Sequence, residues 1–311
     1  MNNIKHPNDY PLVYFAYMDI LGYSDMVIGD MDEQQSFERI RKLEELVQLS
    51  ISQVYFLNKM NEEGNGLNVL FEYEIFSDSL CLWCNLETGE NNENDSNAYL
   101  LSQKYKESNY SKLWLLMMLV TDIQMEAIRY GFVFRGAISC GNHYKSKNVM
   151  YSKALVYAYK AESHIAVFPR IILCNNPECG SLQADSLISG LIHDGWILKD
   201  GEIFFVDYMV RLLGMRHINP EYAKELLQIH KALITQRLEK YADNSQVKRK
   251  YQWLAEYHNY KTKSYDKDLL IDIQWDPISH IPELKTKTRI TKKEMSKGVL
   301  IRIDSFSDFS E

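Results

Sequence analysis

Leu12-Val13-Tyr14-Phe15-Ala16-Tyr17-Met18-Asp19-Ile20-Leu21-Gly22 is the stretch that decides the fold. Aliphatic and aromatic residues fill it from Leu12 to Ile20 and Gly22 closes it, which is the composition of a buried strand ending in a turn. Its one charged residue, Asp19, stands at the end. From Asp32 to about Met60, Phe37, Ile40, Leu43, Leu46, Val47, Ile51 and Val54 recur at spacings of three and four, the stripe of an amphipathic helix.

Working outward, Leu67 to Phe76 and Ser79 to Cys84 are short apolar runs broken at Ser77-Asp78, a hairpin with the aspartate at or near its turn. Glu87 to Asn97 is an Asn-rich polar loop. Ser111 is placed to cap a helix running to Tyr130, and Gly131 to stop it. Phe132 to Cys140 reads as a strand, Tyr151 to Ser163 as a helix, and Ile171 to Leu173 as a strand. The order through Cys140 is β-α-β-β-α-β. That predicts an α+β fold of the ferredoxin-like (split β-α-β, or palm) type, with helices on one face of one sheet. Residues 1–180 are assigned to this core. Residues 181–311 form a C-terminal extension packed on it, with a hairpin at Asp200-Gly201 and helices over Pro220–Asp243 and Ser245–Tyr260.

The 311 residues carry 35 Lys and Arg against 42 Asp and Glu, a net charge of −7, so no global basic field is available to hold nucleic acid. The longest apolar run, Leu113 to Val120, falls far short of the roughly 20 residues that span a bilayer. With no apolar signal region near Met1, a cytoplasmic protein without a membrane partner is expected. Cys81, Cys84, Cys140, Cys174 and Cys179 are odd in number and fit reduced thiols. Cys81 and Cys84 form a C-x-x-C, but on a strand they point to opposite faces. The eight histidines show no paired metal spacing, and no P-loop or nucleophile-elbow motif occurs. Lys285 to Lys297 holds six basic residues and one acidic, read as a solvated face or tail.

In a split β-α-β sheet the first and third strands are central, antiparallel neighbours. Asp19 ends the first and Asp78 begins the third, so two carboxylates 59 residues apart converge on one edge. Adjacent carboxylates repel unless protonated or bridged by a cation, and hard oxygen ligands suit Mg²⁺ or Mn²⁺. The Ile20 carbonyl is a further candidate ligand. Backbone N–H groups of the turn from Ile20 through Gly22 and Tyr23 to Ser24 are a candidate polyphosphate cradle. The plain alternative is that Asp19 caps a turn and Asp78 fills a hairpin corner.

Phe15 to Tyr23 resembles the first metal-binding strand of class III nucleotide cyclases, and Ile75-Phe76-Ser77-Asp78-Ser79 resembles their second metal-binding hairpin. Phe134 to Gly141 looks like the next core strand, and Lys153 to Ser163 sits where that class has its dimer-completing helix. The wording Arg135-Gly136-Ala137-Ile138-Ser139-Cys140-Gly141, the A-Y-x-x-E helix at Ala158 to Glu162, Pro169-Arg170-Ile171 and the Trp253-bearing helix is similar to the pyrimidine cyclases of the Pycsar antiphage system. The likeness covers roughly residues 12–175, with weaker echoes to about 260.

The resemblance implies a lyase that converts UTP or CTP to the 3′,5′-cyclic monophosphate and pyrophosphate, with two divalent cations, Mn²⁺ or Mg²⁺, shared by Asp19 and Asp78. UTP is favoured over CTP because uridylate cyclisation is the commoner activity of that family. It further implies a homodimer with active sites at the interface, and a second messenger sensed by a separate effector. This sequence departs from the class in two places. The ribose-orienting Asn and transition-state Arg are replaced by Val156 and Lys160, so cationic help is sought from Lys160, Arg135 or Arg170. The base-reading Lys is replaced by Glu74, while Tyr17, on the strand face of Asp19, either narrows a pocket for a pyrimidine or is ordinary core. Two other functions stay open: a catalytically silent nucleotide-sensing palm, and a metal-dependent nuclease.

Overall fold

The computed structural model describes residues 10–29, 32–62, 69–87, 98–174 and 185–273. The polar loop after Glu87, Cys179 and the basic run from Lys285 lie outside these. The described chain is α+β. Strand β1 (Leu12–Ile20) leads through a short helix α1 (Tyr23–Ile28) and the long α2 (Glu33–Glu62) to the hairpin β2 (Phe71–Phe76) and β3 (Ser79–Asn85). Helix α3 (Ala98–Arg129) then leads to β4 (Phe134–Lys145), whose far end turns back as β5 (Met150–Ser152) before α4 (Lys153–His164) and β6 (Ile171–Leu173). After these come α5 (Asp185–His193), the hairpin β7 (Ile197–Asp200) and β8 (Ile203–Val206), and helices α6 (Met209–Met215), α7 (Pro220–Lys240) and α8 (Ser245–Thr262).

The strands lie in the order β2-β3-β1-β4-β6-β8-β7, with β5 hung on β4. The first four are mutually antiparallel, with β1 between β3 and β4 as the connectivity demands; β6 joins β4 in parallel and meets β8 through Ile172 and Phe205. The C-terminal hairpin therefore continues the same sheet.

Helices cover both faces of this sheet, not one as the sequence suggested. On one face Tyr14, Ala16 and Met18 of β1 pack with Leu46 and Val54 of α2 and Leu113 and Leu116 of α3. On the other, Val13, Phe15 and Tyr17 meet Ala154, Ala158 and Ala161 of α4, and Trp253, Leu254 and Tyr257 of α8 belong to the same core. Both parities of β1 are apolar, so both faces must be removed from water.

Ser111 does not cap α3, which begins thirteen residues earlier at Ala98; its Oγ donates back to the Glu107 carbonyl, an interior-helix bond. The helix does stop at Gly131, whose φ of 82° is one that other residues rarely adopt. Helix α4 starts two residues inside the expected range, with Ser152 as its cap accepting from the Leu155 N–H at 3.0 Å. As the strand period requires, Cys81 and Cys84 belong to opposite faces. Among the described residues no helix is long and apolar enough to cross a membrane.

Candidate functional site

Register builds the site. Asp19 lies opposite Ser79 of β3 on one side and Arg135 of β4 on the other, so all three belong to one face at one edge. The β2–β3 turn carries Asp78 beside them, fixed by a 3.2 Å bond from the Ile20 N–H to its carbonyl. Ser77 in that turn is left-handed, with φ 55°. Asp19 and Asp78 are therefore neighbours at one edge of the sheet, and the charge of Asp78 contributes to raising Asp19.

Ser79 Oγ donates to Asp19 Oδ1 at 3.1 Å. With its one proton so directed, Ser79 must accept from Tyr17 Oη, 2.8 Å away. Tyr17 is buried, and Tyr159 of α4 stands edge-on to it at 5.8 Å. Burial pushes the Tyr17 phenol up to about 12, so it remains a donor. Arg135 Nε lies 3.5 Å from Asp19 Oδ2 and 2.6 Å from Glu162 Oε1. Neither Arg135 Nε nor Glu162 Oε1 is in a well-directed hydrogen bond, although both atoms are buried.

Burial first, then the charges of Asp78 and Glu162, push Asp19 up to about 6, against the bond from Ser79 and the charge of Arg135. A buried carboxylate raised by two like charges is an anionic position short of a cation. Glu162 Oε1, a buried acceptor without a well-directed bond, points the same way, whereas Arg135 Nε is a donor and calls for an anion. Among the described residues no group of three or more His, Cys, Asp and Glu side chains is arranged to hold a metal. The carboxylates that the register and the adjoining turn bring to this edge are those of Asp19 and Asp78, both hard oxygen donors of the kind that Mg²⁺ and Mn²⁺ take.

The remaining sequence candidates separate. The Ile20 and Leu21 N–H groups are taken by the Asp78 and Val133 carbonyls, so the expected cradle shrinks to Gly22 onward. Gly22 is left-handed with φ 75°, and α1 beyond it is only six residues long. Tyr23 is half-buried against the core of α2 and α3. Glu74 pairs with Lys145, whose ammonium also stands 5.4 Å over the Trp83 ring. Lys160 and Val156 are exposed on α4. Arg170 is removed as a candidate: it is buried, paired with Asp200, and enclosed by Phe168, Phe205 and Trp253.

Three contributors escaped the sequence reading: Ser79, Glu162 and Lys250. Glu162 is 3% exposed, on the alanine-lined face of α4. A carboxylate one residue from Ala161 in that stripe was the available signal. Lys250 of α8 feels the charges of Arg135, Glu162 and Asp25, and burial lowers its pKa first; nothing in its local sequence marks it. No protein-family model matches this chain, and no curated protein is significantly similar to it.

Proposed function

We propose that the chain is a palm-fold pyrimidine nucleotide cyclase acting on UTP in preference to CTP. The observation that carries this reading is the register that sets Asp19 beside Ser79 and Arg135, with Asp78 on the adjoining turn. Asp19 and Asp78 would hold two divalent cations, Mn²⁺ or Mg²⁺. Bound there, the cations would acidify the ribose 3′-hydroxyl and neutralise triphosphate charge.

The reaction joins the 3′-oxygen to the α-phosphorus, breaks the α–β phosphoanhydride bond, releases pyrophosphate, and gives the hydroxyl proton to solvent. Arg135 supplies positive charge at the edge where phosphate charge accumulates. Tyr17 and Ser79 orient Asp19 through two successive hydrogen bonds. Lys160, exposed on α4 together with Val156 and Tyr159, would serve a site completed by a second copy, as the resemblance implies for a homodimer. By the same resemblance the product is a second messenger in antiphage defence, read by a separate effector.

The test is incubation of the protein with Mn²⁺ or Mg²⁺ and each of the four common NTPs, resolving products by mass. Cyclic UMP or CMP plus pyrophosphate is expected. No cyclic product from any NTP would overturn the reading and favour the silent nucleotide sensor, which the replacement of the class's Asn and Arg by Val156 and Lys160 motivates. Cleavage of a labelled oligonucleotide instead would indicate a nuclease.

A further inference from the structure

Glu162 is a buried charge that the proposed chemistry does not use. Helix α4 sits close on the sheet because its contact residues are Ala154, Ala158 and Ala161, and because β4 offers Gly141 and Ser139 beneath them. Ser139 Oγ donates to the Ala154 carbonyl at 2.6 Å, and a Cβ on Gly141 would meet the Ala154 nitrogen at 2.9 Å. The helix therefore cannot shift without losing that fit, and Glu162 is held above the sheet edge.

From there it competes with Asp19 for one guanidinium. Arg135 Nε is 2.6 Å from Glu162 and 3.5 Å from Asp19, and Ser163 Oγ donates to the other Glu162 oxygen at 2.9 Å. Without Glu162, Arg135 would have Asp19 as its carboxylate partner across the register and would screen the charge a cation needs. With it, the guanidinium is drawn toward α4. We infer that Glu162 is a positioning residue: it holds Arg135 off Asp19 so that the Asp19 and Asp78 carboxylates stay available to a divalent cation. The inference rests on the two-carboxylate cation site proposed above. Groups that orient a metal's ligands from behind typically change affinity 10- to 100-fold when removed.

The experiment is a titration of the full-length protein with Mn²⁺ alone, following free Mn²⁺ by electron paramagnetic resonance, without nucleotide or turnover. Glu162→Gln should weaken Mn²⁺ binding at least tenfold. Arg135→Gln should remove the competition, and the double variant Arg135→Gln/Glu162→Gln should bind Mn²⁺ as Arg135→Gln does, because Glu162 acts only through Arg135. Glu162→Asp retains the charge and covers the case in which Glu162→Gln does not fold; its affinity should fall between wild type and that of the Asp78→Asn variant. Wild-type affinity in folded Glu162→Gln, or an equal loss from Glu162→Gln with and without Arg135, would overturn the inference while leaving the cation site standing. If wild type and Asp78→Asn bind Mn²⁺ alike, the cation site itself fails, and the inference with it.

Discussion

Replacing Asp19 with Asn separates what the residue does for the fold from what it does for function. In the unfolded chain the carboxyl ionises near 3.8, whereas in the folded protein burial and the neighbouring charges of Asp78 and Glu162 raise it to about 6. Because its folded value is the higher one, the folded state holds the proton longer, and stability falls as pH rises from 3.8 through 6. At about 1.4 kcal/mol per pH unit, ionised Asp19 costs the metal-free protein on the order of 2–3 kcal/mol at pH 8. Asn cannot ionise and keeps an oxygen to accept from Ser79, but it turns an amide toward Arg135 and forfeits about 1 kcal/mol of attraction. Asp19→Asn should therefore be more stable than wild type by about 1–2 kcal/mol at pH 8 in chelator, with the advantage gone by pH 4. Urea unfolding followed through the buried Trp83 and Trp253 measures this, and titrations shared by the two proteins cancel in the difference. In saturating Mn²⁺ the order should reverse, since only the wild type gains from binding. A variant less stable at pH 8, or a difference that does not move with pH, would refute the reasoning.

Asp78→Asn should abolish cyclisation while changing the unfolding free energy by less than about 1 kcal/mol, because it removes one of two repelling charges; calorimetry beside the NTP assay checks both. Gly136→Ala should cost more than about 2 kcal/mol in urea unfolding, since its Cβ would lie 2.0 Å from the Tyr17 carbonyl oxygen in the centre of the sheet. Burial lowers His258 from 6.5 to about 4, and its Nε2 donates to the Leu269 carbonyl at 3.0 Å. Its contribution is full above pH 6.5 and is lost as pH falls through 4, so amide exchange at Leu269 to Ile271, corrected for intrinsic rates, should accelerate at pH 5 relative to pH 7.

Much of the N-terminal half was legible in the sequence because its elements announce themselves singly. The run Leu12 to Ile20 gave the strand to the residue, and β-α-β-β-α-β connectivity then left β1 only one place, between β3 and β4. The pairing of Asp19 with the start of β3 followed from that topology. The same run also held the evidence against helices on one face: Val13, Phe15 and Tyr17 are as apolar as Tyr14, Ala16 and Met18, and a half-exposed strand would alternate. The start of α3 was missed because Ser102 to Asn109 is polar but for Tyr105, so the apolar period becomes clear only after Ser111. Helices α5 and α6, of nine and seven residues, are too short for a period to show.

Within the site, what could be read divides by sequence distance from the sheet. Asp19, Asp78 and Arg135 sit on strands or at a strand turn, where register alone fixes their neighbours. Glu162 and Lys250 arrive from helices, and their approach depends on how closely those helices pack. For Glu162 that closeness is written in small residues on both partners, Ala154, Ala158 and Ala161 against Ser139 and Gly141. For Lys250 it depends on α8, whose Trp253 stacks on Phe168 at 5.5 Å and stands edge-on to Phe205. That aromatic cluster encloses Arg170, whose carboxylate partner Asp200 comes from β7. Arg170 is therefore committed to joining the first 180 residues to the strands and helices that follow. A guanidinium held by a carboxylate and three rings is not free to meet a phosphate. Arg135, whose Nε lies 2.6 Å from Glu162 and 3.5 Å from Asp19, stays by contrast at the edge where those carboxylates meet.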